Sequence, residues 1–193
     1  WGGINSDSRK PVSGGMWVNA GRADEGATHY TSYSPYLNLR PSTRATIGLS
    51  LGYNESTDDA QWYDNIVDSG GVTHYSFAHL EQTTVSMSAR VNYTATPNLT
   101  FEFYGQPFVS HGTYSDIREL SATPQASRYA DRYQPYAPAS GNATAFKVAE
   151  LRGNAVVRWE YRPGSTLFVV WQHGKERFRT SFPDQSWTKD YSD

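Results

Sequence analysis

The chain of 193 residues contains no cysteine. That excludes a disulfide framework and any thiolate metal centre. It has no run of about 18 apolar residues, so none of its segments can cross a bilayer as a helix. Neither sign of charge dominates: 17 basic and 19 acidic side chains leave a formal net charge of -2. A nucleic-acid partner recruited by a basic field is therefore not expected. No period of about 20 to 50 residues recurs, which excludes a solenoid or a propeller. Helical periodicity never lasts beyond a turn or two, and 114–122 is the one stretch where a short helix is predicted.

Aromatic side chains are plentiful. They make up 15% of the chain, with Tyr (14) ahead of Phe (8) and Trp (6). Amphipathic rings favour a boundary between oil and water. Only 37% of the residues are hydrophobic. That low figure is compatible with membrane strands, because only every second residue of such a strand has to be apolar.

Residues 44–54 show the alternation most clearly. Ala45, Ile47, Leu49, Leu51 and Tyr53 share one side of an extended segment, and Thr46, Gly48, Ser50, Gly52 and Asn54 share the other. Successive side chains of a strand point to opposite faces, so this is a half-polar strand. Val85 to Tyr93, Leu99 to Phe103, Val157 to Tyr161 and Leu167 to Trp171 repeat the design. Three short turns separate these segments: Pro41-Ser42-Thr43, Pro97-Asn98 and Pro163-Gly164-Ser165. Proline presets the first turn dihedral, while Gly or Asn accepts the positive one. At the first turn, pairing Arg40 with Arg44 would set Leu39 opposite Ala45, Leu37 opposite Ile47 and Tyr33 opposite Leu51.

Longer polar stretches fall at 55–71, at 111–144 and beyond about 175. Tight turns at one end and long loops at the other are the asymmetry of an outer-membrane barrel. Strands are predicted at 11–21, 28–40, 44–57, 72–95, 98–110, 145–162 and 166–177. The expected fold is all-β: an antiparallel up-and-down transmembrane β-barrel. Residues 1–193 would supply about seven to eight strands of a larger barrel, as part of one domain incomplete at both ends. The strand at 72–95 exceeds the roughly 9 to 11 residues that cross a bilayer. Either it projects above the membrane or a bulge near Leu80 resets its register. Glu81 is placed outside lipid.

Ile47, Leu49, Leu51, Val91, Phe101, Trp159, Val169 and Trp171 are the predicted lipid-facing residues. Arg90, Glu102, Asn154, Arg158 and Glu160 would line the interior, with their charges forming a structural ladder. Arg128, Tyr129, Asp131, Arg132 and Tyr133 form a dense motif suited to external recognition of sugars or anions, or to packing over the barrel mouth. His29, His74, His79, His111 and His173 lack metal-ligand spacing, so no metal and no cofactor is expected. No Gly-x-Ser-x-Gly elbow is present, and no catalytic residue is assigned. A rim hydrolase using His79, Glu81 and the loop acids Asp58 and Asp59 is one alternative. A soluble β-sandwich binding module is another.

Four motifs add a resemblance: Thr73-His74-Tyr75-Ser76-Phe77-Ala78-His79-Leu80-Glu81-Gln82-Thr83-Thr84-Val85-Ser86, Tyr104-Gly105-Gln106-Pro107-Phe108-Val109-Ser110, Arg128-Tyr129-Ala130-Asp131-Arg132-Tyr133 and Leu151-Arg152-Gly153-Asn154 through Pro163-Gly164-Ser165. Together they resemble the C-terminal part of a large, uncharacterised bacterial outer-membrane barrel domain. In that family the barrel usually follows an N-terminal carbohydrate-binding module of the family-nine-like type. The resemblance implies the outer membrane of a Gram-negative bacterium, contact with its lipid, and glycans as partners of a module outside this chain. Some members are labelled hydrolases. The functional expectation is an anchor, pore or export route linked to glycan binding or uptake.

Overall fold

Alternating side chains require extended backbone, and the chain is extended almost throughout. In a computed structural model, residues 1–137 and 144–180 are described. They form one antiparallel sheet of nine strands. The strands are β1 (Gly2–Asn5), β2 (Val12–Ala23), β3 (Thr28–Ser42), β4 (Ala45–Val67), β5 (Thr73–Thr96), β6 (Leu99–Leu120), β7 (Tyr133–Pro135), β8 (Ala145–Arg162) and β9 (Ser165–Arg179). Neighbours in space follow chain order from β1 to β6, and then β8 and β9. The short β7 pairs with the far end of β6, beyond the stretch that β8 occupies. The sheet is not closed: β1 and β9 each have only one partner among the described residues.

Two-residue turns join β3 to β4, β5 to β6 and β8 to β9, all at one end of the sheet. In the last, Pro163 and Gly164 stand between the pair Arg162 and Ser165, and Gly164 has φ +79. A type II turn requires that positive φ at its second central residue. At the first turn the register differs from the expected one by two residues. Leu39 pairs with Ile47, Leu37 with Leu49 and Tyr33 with Tyr53. An even shift keeps every side chain on its face, so the hairpin stays amphipathic.

Two polar segments expected to be loops are strand. β4 continues through Asp58, Asp59 and Asp64 to Val67, which leaves only 68–72 to turn the chain. The stretch 114–122, expected to be a short helix, is mostly the distal end of β6. Cross-strand partners override a weak local periodicity there.

Around Leu80 the long strand β5 runs without interruption, and its neighbours absorb the irregularity. On β4, Asp59 and Ala60 stand between the partners of Leu80 and Ala78, and Tyr63 between those of Phe77 and Ser76. On β6, Asp116 and Ile117 stand between the partners of His79 and Phe77. Asp116 has φ +48, as a bulge residue can. The expected bulge near Leu80 is thus displaced onto both flanking strands.

Few side chains are buried. The apolar ones are Ala78, Leu80, Val109, Tyr129 and Ala149. No second sheet lies over this one among the described residues, whereas a sandwich needs two.

Candidate functional site

The register gathers the predicted lipid-facing residues on one face. Ile47, Val91, Phe103, Ala155 and Trp171 form one cross-strand row. Tyr93, Phe101, Val157 and Val169 form the next, and Leu99, Trp159 and Leu167 another. Leu49 and Leu51 continue the same face on β4. These side chains are open: Leu51 is 40% exposed and Trp171 55%. This surface is called here the Ile47 face.

Arg90, Glu102, Asn154, Arg158 and Glu160 all fall on the opposite, Arg90 face. Arg90 pairs in register with Tyr104, and its guanidinium lies over that ring at 5.4 Å. Glu102 stands opposite Asn92, so it is diagonal to Arg90. Arg158 and Glu160 approach to 3.9 Å, and Glu160 also accepts a hydrogen bond from the Gly164 amide at the turn. Arg90, Asn92, Glu102, Tyr104 and Asn154 line a polar cleft of ≈ 520 Å³.

Away from the turns the two faces exchange character. Past Tyr53, Val85 and Val109, the Ile47 face carries Glu55, Thr57, Glu81, Thr83, His111 and Thr113. Over the same stretch the Arg90 face turns apolar, with Leu80, Tyr114 and Phe146. Tyr114 meets Tyr63 at 5.1 Å and Phe146 at 5.8 Å. Gly112 leaves room for this cluster, since a Cβ there would stand 2.5 Å from the Phe146 ring and 2.8 Å from Leu80. On the Ile47 face, His29, His79, His111, Glu55 and Glu81 line a second cleft of ≈ 520 Å³. Among the described residues no three His, Asp or Glu side chains converge to hold a metal ion.

Above that cleft the segment 121–132 folds over the Ile47 face as a strap and returns to the sheet at β7. The bulge on β4 aims Asp59 at it. One carboxylate oxygen of Asp59 contacts His79 Nδ1 at 2.6 Å, and the other accepts from Arg118 Nη2 at 2.5 Å. Arg118 also donates to the Asp59 carbonyl, and lies over the Tyr133 ring at 4.5 Å. Burial alone would raise the Asp59 carboxyl. Hydrogen bonds from Arg118, His79 and Tyr129 outweigh burial and hold its pKa below the usual carboxylate range. Burial and the Asp59 charge push the Tyr129 phenol well above its ordinary value. The Tyr129 amide donates to Glu25 Oε1 at 3.1 Å. Glu25 belongs to three successive residues with positive φ, Asp24, Glu25 and Gly26, at the β2–β3 turn.

This geometry places the predicted recognition motif differently. Tyr129 is buried and stacks edge-on against Tyr133, which in turn packs against Phe77. Arg132 donates to the Ala126 carbonyl within the strap. Of the five recognition residues, Arg128 and Asp131 are exposed. The strap lies across the Ile47 face, and not over the Arg90 face that would line an interior. Residues 138–143, part of the expected long loop, lie outside the described residues, as does the tail at 181–193.

His79 and Glu81 share a face as expected, with Nε2 and Oε1 3.9 Å apart. Asp59 is one of the loop acids the sequence sets beside His79, and the structure brings the two together; Arg118 is not foreseen, because a bulge on β6 decides its direction. Sequence reasoning also missed a second link. His74, on the Arg90 face, contacts Glu119 at 2.7 Å and Asp68 at 3.5 Å, and stacks on Tyr136. The Glu119 hydrogen bond leads in raising the His74 pKa, and His74 leads in lowering that of Glu119.

Fold and surface define a class: a single-layer antiparallel sheet of long strands, with one face apolar near its tight turns. The sequence matches the family described as Domain of unknown function (DUF5916) over residues 1–192. The chain belongs to that family. No curated protein and no solved structure matches it.

Proposed function

We propose that this chain is part of an outer-membrane β-barrel that serves as anchor, pore or export route. Its link to glycan binding or uptake would run through a carbohydrate-binding module outside these residues. The observation that carries the reading is the apolar Ile47 face, which turns polar at one level on β4, β5, β6 and β8, and nearer the tight turns on β9, where His173, Lys175 and Arg177 share the rows of Leu49, Leu51 and Tyr53. Its rows run from Ala45 to Tyr53 on β4 and from Tyr93 back to Val85 on β5. Such a span is about 27 Å along the strand at about 3.4 Å per residue. Tilted by about 40°, it is about 20 Å tall, near the height of a barrel's lipid-facing band.

In water this face would be costly. Each large apolar side chain left exposed forgoes about 1.5 to 3 kcal/mol. Lipid would cover the rows, and further strands would satisfy the open edges of β1 and β9, which hydrocarbon cannot. The Arg90 face would then line a wet interior. Spin labels at Leu49, Val91 and Val169 in the reconstituted full-length protein test this. Access to lipid-soluble oxygen is the expected result, and access to a water-soluble relaxation agent alone would sink it. Single-channel recording separates pore from anchor.

A rim hydrolase is a second reading, favoured by the contact between Asp59 and His79. Asp59 would orient the imidazole as a general base for water. Against it, Asp59 is also held by Arg118, and the other ring nitrogen faces Glu81. An unchanged hydrolysis rate for His79→Ala on lipid, peptide and glycan substrates would remove it.

A further inference from the structure

The cleft on the Arg90 face holds a cation and an acid that do not meet. Arg90 and Glu102 stand diagonally on β5 and β6, and both are exposed. Among the described residues neither has an ion-pair partner. Tyr104 holds the Arg90 guanidinium by a cation–π contact, which places the group without cancelling its charge. The Tyr104 hydroxyl in turn donates to Gln106 Oε1 at 2.8 Å, so the ring is itself held. Asn154 stands opposite Tyr104 on β8, and Asn92 opposite Glu102 on β5. Both amides can donate and accept. The volume of ≈ 520 Å³ falls among those of ligand sites, about 300 to 1,000 Å³.

The charge around the cleft is balanced. On β5 from Gln82 to Asn92, on β6 from Thr100 to Ser110 and on β8 from Val148 to Glu160, this face carries three arginines and three glutamates, with no Lys or Asp. Such a lining favours neither sign of ion. Guanidinium and carboxylate groups are planar: one donates two parallel hydrogen bonds, and the other accepts two. Adjacent hydroxyls, each a donor and an acceptor, satisfy both. The same composition continues away from the tight turns at Gln106, Glu150 and Arg152, which line a further cleft of ≈ 130 Å³. There Arg152 donates to Glu150 through Nε. A small zwitterion would occupy one of these steps, whereas a chain of hydroxyl pairs can follow both.

We propose that the cleft between Arg90 and Glu102 is a binding site for a neutral sugar chain. Glu102 accepts from one pair of hydroxyls, Arg90 donates to the next, and Asn92 and Asn154 bond the oxygens between them. The inference rests on the Arg90 face being the wet interior of the reading above. It places sugar recognition within this chain, and not only in a module outside it.

The test uses the full-length protein in vesicles of phosphatidylcholine, with a fluorophore on Ser88→Cys, beside Arg90 on the same face. Acrylamide in the water and nitroxide on lipid acyl chains are the quenchers. Maltotriose, cellotriose and xylotriose are the probes, with polyethylene glycol of equal mass and alanine as controls. The expected result is quenching by acrylamide and not by lipid. At least one trisaccharide should shield the fluorophore saturably, while neither control does. Salt raised from about 0.1 M to about 1 M should leave the shielding in place, since a neutral ligand is not screened. Arg90→Gln or Glu102→Gln should weaken it about tenfold or more, as expected for a lost hydrogen bond to a charged group. No shielding by any of the three sugars would overturn the site while leaving the wet interior. Equal shielding by polyethylene glycol would mean that size alone is read, and would overturn it as well. Shielding by alanine in place of the sugars would hand the cleft to a zwitterion. Quenching by lipid and not by acrylamide would overturn the membrane reading and the site with it. The probe comparison needs neither Gln variant, so a failure of either to fold does not blunt the test.

Discussion

Arg118 is the residue on which the strap turns. Its side chain is nearly buried, beside a carboxylate equally buried. Removing one member of such a pair leaves an uncompensated charge, which typically costs about 3 to 5 kcal/mol. Arg118→Met is therefore expected to loosen the strap by about 3 kcal/mol, read as faster tryptic cleavage after Arg128. An unchanged cleavage rate would show that the aromatic contacts suffice. Asp59 adds a pH dependence. Its folded pKa is lowered, so its contribution is present above the ordinary value of 3.8 and is lost as pH falls through the folded pKa.

His74 behaves in the opposite sense. Its folded pKa is raised from 6.5, so its contribution is complete below that value and is lost as pH rises through the folded pKa. Glu119 is lowered from 4.5, so its share is present above that value and is lost as pH falls through the folded pKa. The link between them is expected to be strongest from about pH 4.5 to about 6.5. Hydrogen-exchange protection of amides near 68–74 should then be higher at pH 6 than at pH 9. His74→Ala should flatten that difference.

Among the elements, β5 was legible and its neighbours were less so. The alternation from Val85 to Tyr93 is unbroken, and its face follows from counting by twos. Residues 55–67 lie in a stretch that reads as a loop because Asp, Ser, Asn and Gly crowd it, and residues 111–120 open a second polar stretch. They are strand because each has a long partner in β5 that supplies backbone hydrogen bonds and a face to pack on. Gly112 tests this distal packing. Gly112→Ala should cost about 1 to 3 kcal/mol through crowding of Phe146 and Leu80, seen as a lower melting temperature. A neutral result would mean that the Phe146 ring swings away.

For the whole molecule, the open sheet and its bare apolar face are the dominant facts. A charge placed at Val91 or Leu49 distinguishes lipid from water as the neighbour. Val91→Arg should destabilise the refolded full-length protein by about 2 to 4 kcal/mol in a bilayer. Asn92→Arg, on the opposite face, should leave stability nearly unchanged and alter conductance if a pore is present. Similar stability losses for both would argue for a packed interior on each side.

The sequence by itself determined that the chain is β, antiparallel and two-faced, and which side chains share each face. Those properties depend only on a period of two and on turn residues, and both are local. The eight residues assigned to the apolar face, from Ile47 to Trp171, and the five assigned to the other, from Arg90 to Glu160, required nothing more. Only the tertiary structure decided the register, the bulges and what they bring together. The contacts of Asp59 with His79 and Arg118 and the fold of Tyr129 onto the sheet depend on bulges and on pairings between strands. Such pairings are set by the sum of many weak cross-strand contacts, and no local pattern encodes them.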